Sequence, residues 1–262
     1  MPEQGVDRRG PGADVAADRV APPRDHVGEA ACQRYLLCIG HDMTVAARNP
    51  ERFRRTVGLR TSGNRLDIRP SGIYGPRMVP DLLTDRLLLR QPEIGDSESI
   101  AILHGDPAVM QFIDVGKPVP AHIVLSRDLG WLLADYGEGI GYWIGVERVN
   151  ERTVGWFGLR PLAHSPLEVE LGYRLKPEFW GRGLATEAAT ALVEHAFDSA
   201  EVQRVFATTM VANIGSWKVM EKAGLMHQRT WFYDGPDPIP GAEMGDVEHA
   251  LTLDQWLHRG RR

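Results

Sequence analysis

Long apolar runs are missing from this chain. None of its 262 residues falls in a stretch approaching the ~20 that a membrane helix needs. The first thirty residues lack the basic start and apolar stretch of a signal peptide. Cysteine is scarce: Cys32 and Cys38 are too few for a disulfide framework or a zinc quartet. Lysine is absent before Lys117, and 26 of the 30 basic residues are Arg, a bias that fits GC-rich coding sequence. The nine histidines are scattered without a His-x-x-x-His pair, so no metal site is expected. A formal net charge of -5 removes any bulk attraction to nucleic acid or anionic membrane. The expectation is a cytoplasmic protein with no metal, nucleic-acid or membrane partner.

What is present is a globular balance, with 43% hydrophobic and 25% charged residues, enough to bury a core. The charge divides unevenly. Residues 1–80 hold 13 Arg and 9 acidic residues, and the remainder holds 17 basic and 26 acidic. The acidic part either favours cationic partners or serves solubility. Residues 1–77 are rich in Gly, Pro, Ala, Asp and Arg without a sustained period, which predicts a disordered extension. An apolar patch at Tyr35-Leu36-Leu37-Cys38-Ile39 and a basic cluster at 51–60 interrupt it. Met78 stands just before the first patterned segment and is a candidate natural start, which places the folded domain at 78–262.

From residue 80 the pattern sharpens. Residues 82–90 read as one strand, 96–104 and 123–136 as helices, and 141–146, 153–159 and 167–175 as strands, with Asn150-Glu151 as a hairpin turn. A long helix is predicted over 184–200, with Ala185, Ala188, Ala189, Leu192 and Ala196 on one face. A strand over 205–211, a helix over 214–223 ended by Gly224, and strands near 226–233 and 247–253 complete a mixed α/β domain around one sheet.

Two segments carry chemistry. In Trp180-Gly181-Arg182-Gly183-Leu184-Ala185-Thr186, a glycine turn joins an alternating strand to the long helix. Glycines let backbone amides approach a phosphate, and the helix start adds unpaired N–H groups, so the turn is either an anion site suited to a pyrophosphate or a tight connection. Arg182 could add a charge-assisted contact. In the second segment, Asn213, Ser216 and Met220 fall at i, i+3 and i+7 and are expected to share a helical face. Asn213 could equally be an N-cap. Trp143, Trp156 and Trp231 read as core or cleft walls.

These motifs occur in the order found in the GNAT superfamily of N-acetyltransferases, which the chain resembles from 82 to about 257. The matching pieces are Leu83 to Arg90, Glu170-Leu171-Gly172-Tyr173 with Trp180 to Ala188, and Asn213-x-x-Ser216 with Glu221-Lys222-Ala223-Gly224-Leu225. Within the superfamily it looks most like the ribosomal-protein N-terminal (alanine) acetyltransferases. The resemblance implies a central, mostly antiparallel sheet of about six to seven strands flanked by helices. It implies acetyl-CoA as co-substrate and direct attack by a primary amine, either a protein N-terminal α-amine or a small amine. Residues Trp180 to Thr186 would wrap the pyrophosphate. Tyr173, Arg174 and Leu175 would pair with pantetheine where their strand splays, and Asn213 would bond the same arm. Glu170 is the implied base, with Glu168 in reserve. The superfamily's usual acidic Tyr is Met220 here, so Ser216 is the candidate acid. A monomer or homodimer is expected. The competing reading is a non-catalytic acyl-CoA-binding or sensor module.

Overall fold

The computed structural model describes residues 79–259 except 138, 163–164 and 233–237, together with a two-strand ribbon, Arg60–Ser62 against Arg65–Asp67. That ribbon falls within the expected disordered extension, 1–77, whose remaining residues, its apolar patch and the 77/78 boundary lie outside the described residues.

Eight strands form one sheet: β1 (Leu82–Leu83), β2 (Leu87–Arg90), β3 (Gly141–Glu147), β4 (Arg152–Leu162), β5 (Ser165–Leu175), β6 (Arg204–Met210), β7 (Met226–Trp231) and β8 (Asp246–Thr252). Their spatial order is β1-β2-β3-β4-β5-β6-β8-β7, antiparallel throughout except between β5 and β6. The segment 82–90, expected as one strand, is two. The Thr84 and Leu87 amides close a turn, with Thr84 N donating to Leu87 O at 2.9 Å and Leu87 N donating to Thr84 Oγ1 at 3.0 Å.

Seven helices flank the sheet among the described residues: α1 (Ser97–Gly105), α2 (Pro107–Met110), α3 (Ala121–Ile123), α4 (Leu129–Leu132), α5 (Leu184–Ser199), α6 (Ile214–Ala223) and α7 (Leu253–Arg259). A π-helical turn, Val124–Asp128, joins α3 to α4, so the predicted helix over 123–136 is displaced and broken. Strand alternation sends side chains to two cores. Trp143, Phe157, Leu159, Val169 and Leu171 pack with the α5 residues Leu184, Ala188, Ala189, Leu192 and Ala196. Tyr142, Ile144 and Trp156 pack with Ile100, Leu103, Val124 and Leu132 on the opposite face. The small α5 residues predicted to allow close packing are all buried except Ala185, which is partly so. A register shift between Gly145 and Val146 inserts an extra residue opposite β3, which is why Val154 joins Phe157 in one core while Trp156 faces the other.

Gly224 ends α6 at φ 95°, as its position predicted. No helix among the described residues is long and apolar enough to cross a membrane. Among the same residues, no group of three His, Cys, Asp or Glu is placed to hold a metal ion.

Candidate active site

The site begins where two strands part. Parallel pairing of β5 with β6 runs only from Glu168↔Arg204 to Glu170↔Phe206. Beyond it, β5 stays paired with β4 as far as Leu175, and β6 stays paired with β8 as far as Met210. The two strands therefore diverge into a wedge. On that side the β5 backbone from 171 to 175 meets no strand among the described residues. Its N–H and C=O groups need partners, and an extended amide-bearing arm can supply them.

A cleft of about 580 Å³ opens along the wedge. Tyr173, Arg174 and Leu175 form one wall, the 180–186 turn forms its floor, and Asn213 and Ser216 form the other wall. The turn follows from its sequence. Pro177–Phe179 makes a 3₁₀ turn, and the Trp180 indole N–H donates to Leu175 O at 2.8 Å. Gly181 and Gly183 then take left-handed φ values of 69° and 78°, which a side chain would resist. Gly183 caps α5 without a side-chain hydrogen bond, so the first-turn N–H groups remain for an anion. A Cβ at Gly181 would meet nothing within 4 Å, so its face is open.

The turn is braced from behind. Glu187 accepts from Thr84 Oγ1 at 2.5 Å, from Arg86 N at 2.7 Å and from Arg86 Nε at 2.6 Å. Arg86 also donates through Nη1 to Arg182 O at 2.7 Å. Partial burial works against the Glu187 carboxylate, yet the Thr84 and Arg86 bonds hold its pKa below the usual value. Arg182 does not border the cleft. Its guanidinium pairs with the buried Glu147 and lies 5.5 Å over the Phe179 ring. Its side chain therefore anchors the turn rather than facing a ligand in it.

A second cavity, about 190 Å³, adjoins the first, and Phe112 and Ile113 border both. Its walls are aromatic (Phe112, Tyr142, Trp156, Trp231) and acidic (Asp114, Glu170, Asp246). Glu170 is paired with Arg160, directly opposite it in the β4–β5 register, and accepts from Thr208 Oγ1 at 3.2 Å. Glu168 borders neither cavity. It is tied to Arg204 at 2.8 Å and Ser165 at 3.1 Å at the strand's paired end, which removes it as a reserve base. Of the three tryptophans, Trp156 and Trp231 line this cavity, while Trp143 is fully buried and donates to Pro80 O at 2.8 Å.

Ser216 is joined to the opposite wall. Tyr173 Oη donates to Ser216 O at 2.8 Å and lies 3.1 Å from Ser216 Oγ. Burial pushes the Tyr173 phenol well above its ordinary value, so it stays protonated. Met220, one helical turn beyond Ser216, does not border the cleft. It is 2% exposed and packs in the main core. Asn213 has non-helical φ/ψ (−84°, 66°), so counting seven residues from it does not follow the helical period. Its side chain makes no cap and instead donates to Thr209 Oγ1 at 3.1 Å. Sequence reasoning missed Arg160, Thr208, Asp114 and Asp246. Arg160 and Thr208 meet Glu170 only once the strands are in register, and Asp114 and Asp246 reach the cavity from distant parts of the chain.

The family model of the acetyltransferase (GNAT) domain matches residues 86–226. The FsC-acetyl coenzyme A-N(2)-transacetylase of Aspergillus fumigatus is 33% identical over 187 residues, covering 68% of this chain and 78% of that protein. The uncharacterized N-acetyltransferase YoaA of Bacillus subtilis is 28% identical over 165 residues, covering 62% and 93%. Among solved structures, spermidine N-acetyltransferase from Vibrio cholerae, in complex with CoA and spermine, superposes with a TM-score of 0.56 at 16% identity. That match covers 67% of this chain and 99% of the other and shows a shared fold.

Proposed function

The chain belongs to the GNAT acetyltransferase family and is an acetyl-CoA-dependent N-acetyltransferase; on that premise we propose how its two cavities divide the work. The transferase unit is residues 78–262. The larger cleft takes acetyl-CoA. The 180–186 turn receives the pyrophosphate on its backbone amides, the parted edge of β5 at Tyr173, Arg174 and Leu175 pairs with the pantetheine amides, and Asn213 bonds the same arm. The smaller cavity takes the acceptor, a primary amine. Aromatic walls accept its alkyl part, and nearby carboxylates favour its ammonium before reaction. The observation that carries this reading is the wedge itself: coenzyme cleft and acidic aromatic cavity meet at the point where β5 leaves β6.

In the reaction, Glu170, held by Arg160 and Thr208, accepts the ammonium proton through a bridging water. The neutral amine then attacks the thioester carbonyl, the C–S bond breaks to release the thiolate, and the second proton lost from the nitrogen replaces the one that the Ser216 hydroxyl gives up. Ser216 Oγ, positioned by Tyr173, donates a proton to that sulfur. A thiol pKa near ~8.5 makes the demand on this donor modest. No covalent enzyme intermediate is required.

The test is calorimetric titration of the full chain with acetyl-CoA, alongside Gly183→Trp. Micromolar binding that the variant loses supports the assignment. An acceptor panel of alanyl peptides and small amines, including spermidine, then identifies the amine class. A folded wild-type protein that does not bind acetyl-CoA would sink the proposal.

A further inference from the structure

Behind the smaller cavity lies a buried polar chain that the chemistry above does not use. His104, on α1, is 0% exposed. Its Nδ1 lies 2.6 Å from Asp128 Oδ2, and its Nε2 lies 3.0 Å from Trp156 Nε1. An indole nitrogen can only donate, so His104 Nε2 must accept. The ring is then neutral, with its proton on Nδ1, donated to Asp128. Asp128 in turn accepts from Arg127 Nε at 2.5 Å. The chain runs from a surface guanidinium through carboxylate and imidazole to an indole that lines the acceptor cavity.

Two further features point to function rather than filling. Asp128 is presented by the π-helical turn Val124–Asp128, a costly departure from α-helix that recurs at functional sites. A buried ionic group also adds little net stability over an apolar core, so its use here is better sought in geometry. What it fixes is the plane of Trp156. That ring stands over Gly172, where an added Cβ would come within 3.4 Å of it, and the buried Arg174 guanidinium lies 5.2 Å from its centroid. Gly172 borders the smaller cavity and Arg174 the larger. Trp156 thus walls the smaller cavity and backs onto the Arg174 side chain that borders the larger, and Trp131 and Tyr142 pack around it at 5.3 and 5.6 Å.

We infer that Asp128 and His104 are positioning residues that lock the Trp156 indole as the wall of the acceptor cavity, making Trp156 a determinant of which amines the enzyme accepts. The inference rests on the assignment of the smaller cavity to the acceptor. Asp128→Asn tests it, because an amide can donate to Nδ1, move the imidazole proton to Nε2 and set two donors against each other. Trp156→Phe tests it independently by removing the indole N–H while keeping an aromatic wall.

Acetyl transfer is measured across a panel of spermidine, benzylamine and an alanyl peptide. Both variants should raise the acceptor KM about tenfold and flatten the wild-type ranking of the panel, while the KM for acetyl-CoA changes less than twofold. The wild-type acceptor KM should also rise as pH falls towards 4, where His104 gains a proton and ceases to accept; Trp156→Phe should lose that component. The groups facing His104 are Asp128 and Arg127 from the π turn, Arg174 from β5, and the Trp131 and Trp156 rings. A purely structural role would lower the active fraction and kcat for every amine alike, leaving the ranking intact, and would overturn the inference. Transfer to no amine of the panel would overturn both the inference and the reading beneath it.

Discussion

Replacing Glu187 with Ala should cost about 3 kcal/mol of stability, on the following reckoning. The side chain is 16% exposed and its two oxygens take three bonds. The short bond from Thr84 is charge-assisted and partly buried, worth about 1.5 kcal/mol. The bond from the Arg86 amide is exposed, so water replaces it and roughly 1 kcal/mol is lost. The Arg86 guanidinium is 48% exposed, and its ion pair contributes only about 0.5 kcal/mol after screening. For a chain of this size the sum corresponds to a fall in Tm of roughly 6–12 °C. Arg86→Ala should cost only about 1 kcal/mol, yet weaken acetyl-CoA binding more than its stability loss suggests, because it also frees Arg182 O in the turn. The Glu187 carboxyl is held below its usual pKa, so its contribution is complete above the unfolded value of ~4.3 and is lost as pH falls through the folded one. The Tm gap between wild type and Glu187→Ala should therefore close in acid. Differential scanning fluorimetry at pH 7 and pH 3.5, with calorimetry for acetyl-CoA, gives the readings. A Tm loss below ~2 °C for Glu187→Ala, or a larger one for Arg86→Ala, would refute the brace.

Gly155→Ala should disrupt both fold and cleft. Its Cβ would lie 2.0 Å from Arg174 O and 2.8 Å from Leu175 Cα, so β4 and β5 must separate at the strand that walls the larger cleft. A loss of about 3 kcal/mol by urea denaturation and abolished acetyl-CoA binding are expected. Burial, followed by the nearby Arg174 charge, lowers the His104 pKa to about 4 despite Asp128, whereas the unfolded chain titrates near ~6.5. The unfolded state binds more protons across that window, so stability should fall between pH 6.5 and 4. His104→Gln should flatten that slope in urea midpoints measured at half-unit intervals, and an unchanged slope would show that the group does not titrate on unfolding.

The elements of the sheet and helices were readable where local pattern and tertiary packing agree. The alternation of 167–175, the alanine face of α5 and the glycine stop at Gly224 each express a period or a backbone constraint contained in the residue itself. The first strand misled because Thr84 and Leu87 close a turn within it, and the Thr84 hydroxyl is also tied to Glu187, over a hundred residues away. Met220 was less legible: it lies one turn beyond Ser216 on α6, yet it is buried in the main core and does not reach the cleft, which periodicity alone does not reveal.

The same distinction explains the division within the site. The 180–186 turn is a local device, since glycines, a helix start and a short span of chain suffice to build it, and it can be read from seven consecutive residues. The smaller cavity is assembled from β3, β4, β5, β6, β7, β8 and the segments at 112–114 and 239–242, with α1 and the π turn behind its Trp156 wall, so its polar members come from distant parts of the chain. Arg160 is opposite Glu170 only once β4 and β5 are aligned, and His104 reaches Trp156 only across 52 residues of chain. A chemistry shared by many relatives can therefore rest on a contiguous motif. On the proposed assignment, the choice of acceptor rests on contacts between elements, which substitution can alter one at a time without touching the 180–186 turn. On that argument, acceptor specificity should respond to changes at His104, Asp128 and Trp156 far more than coenzyme affinity does.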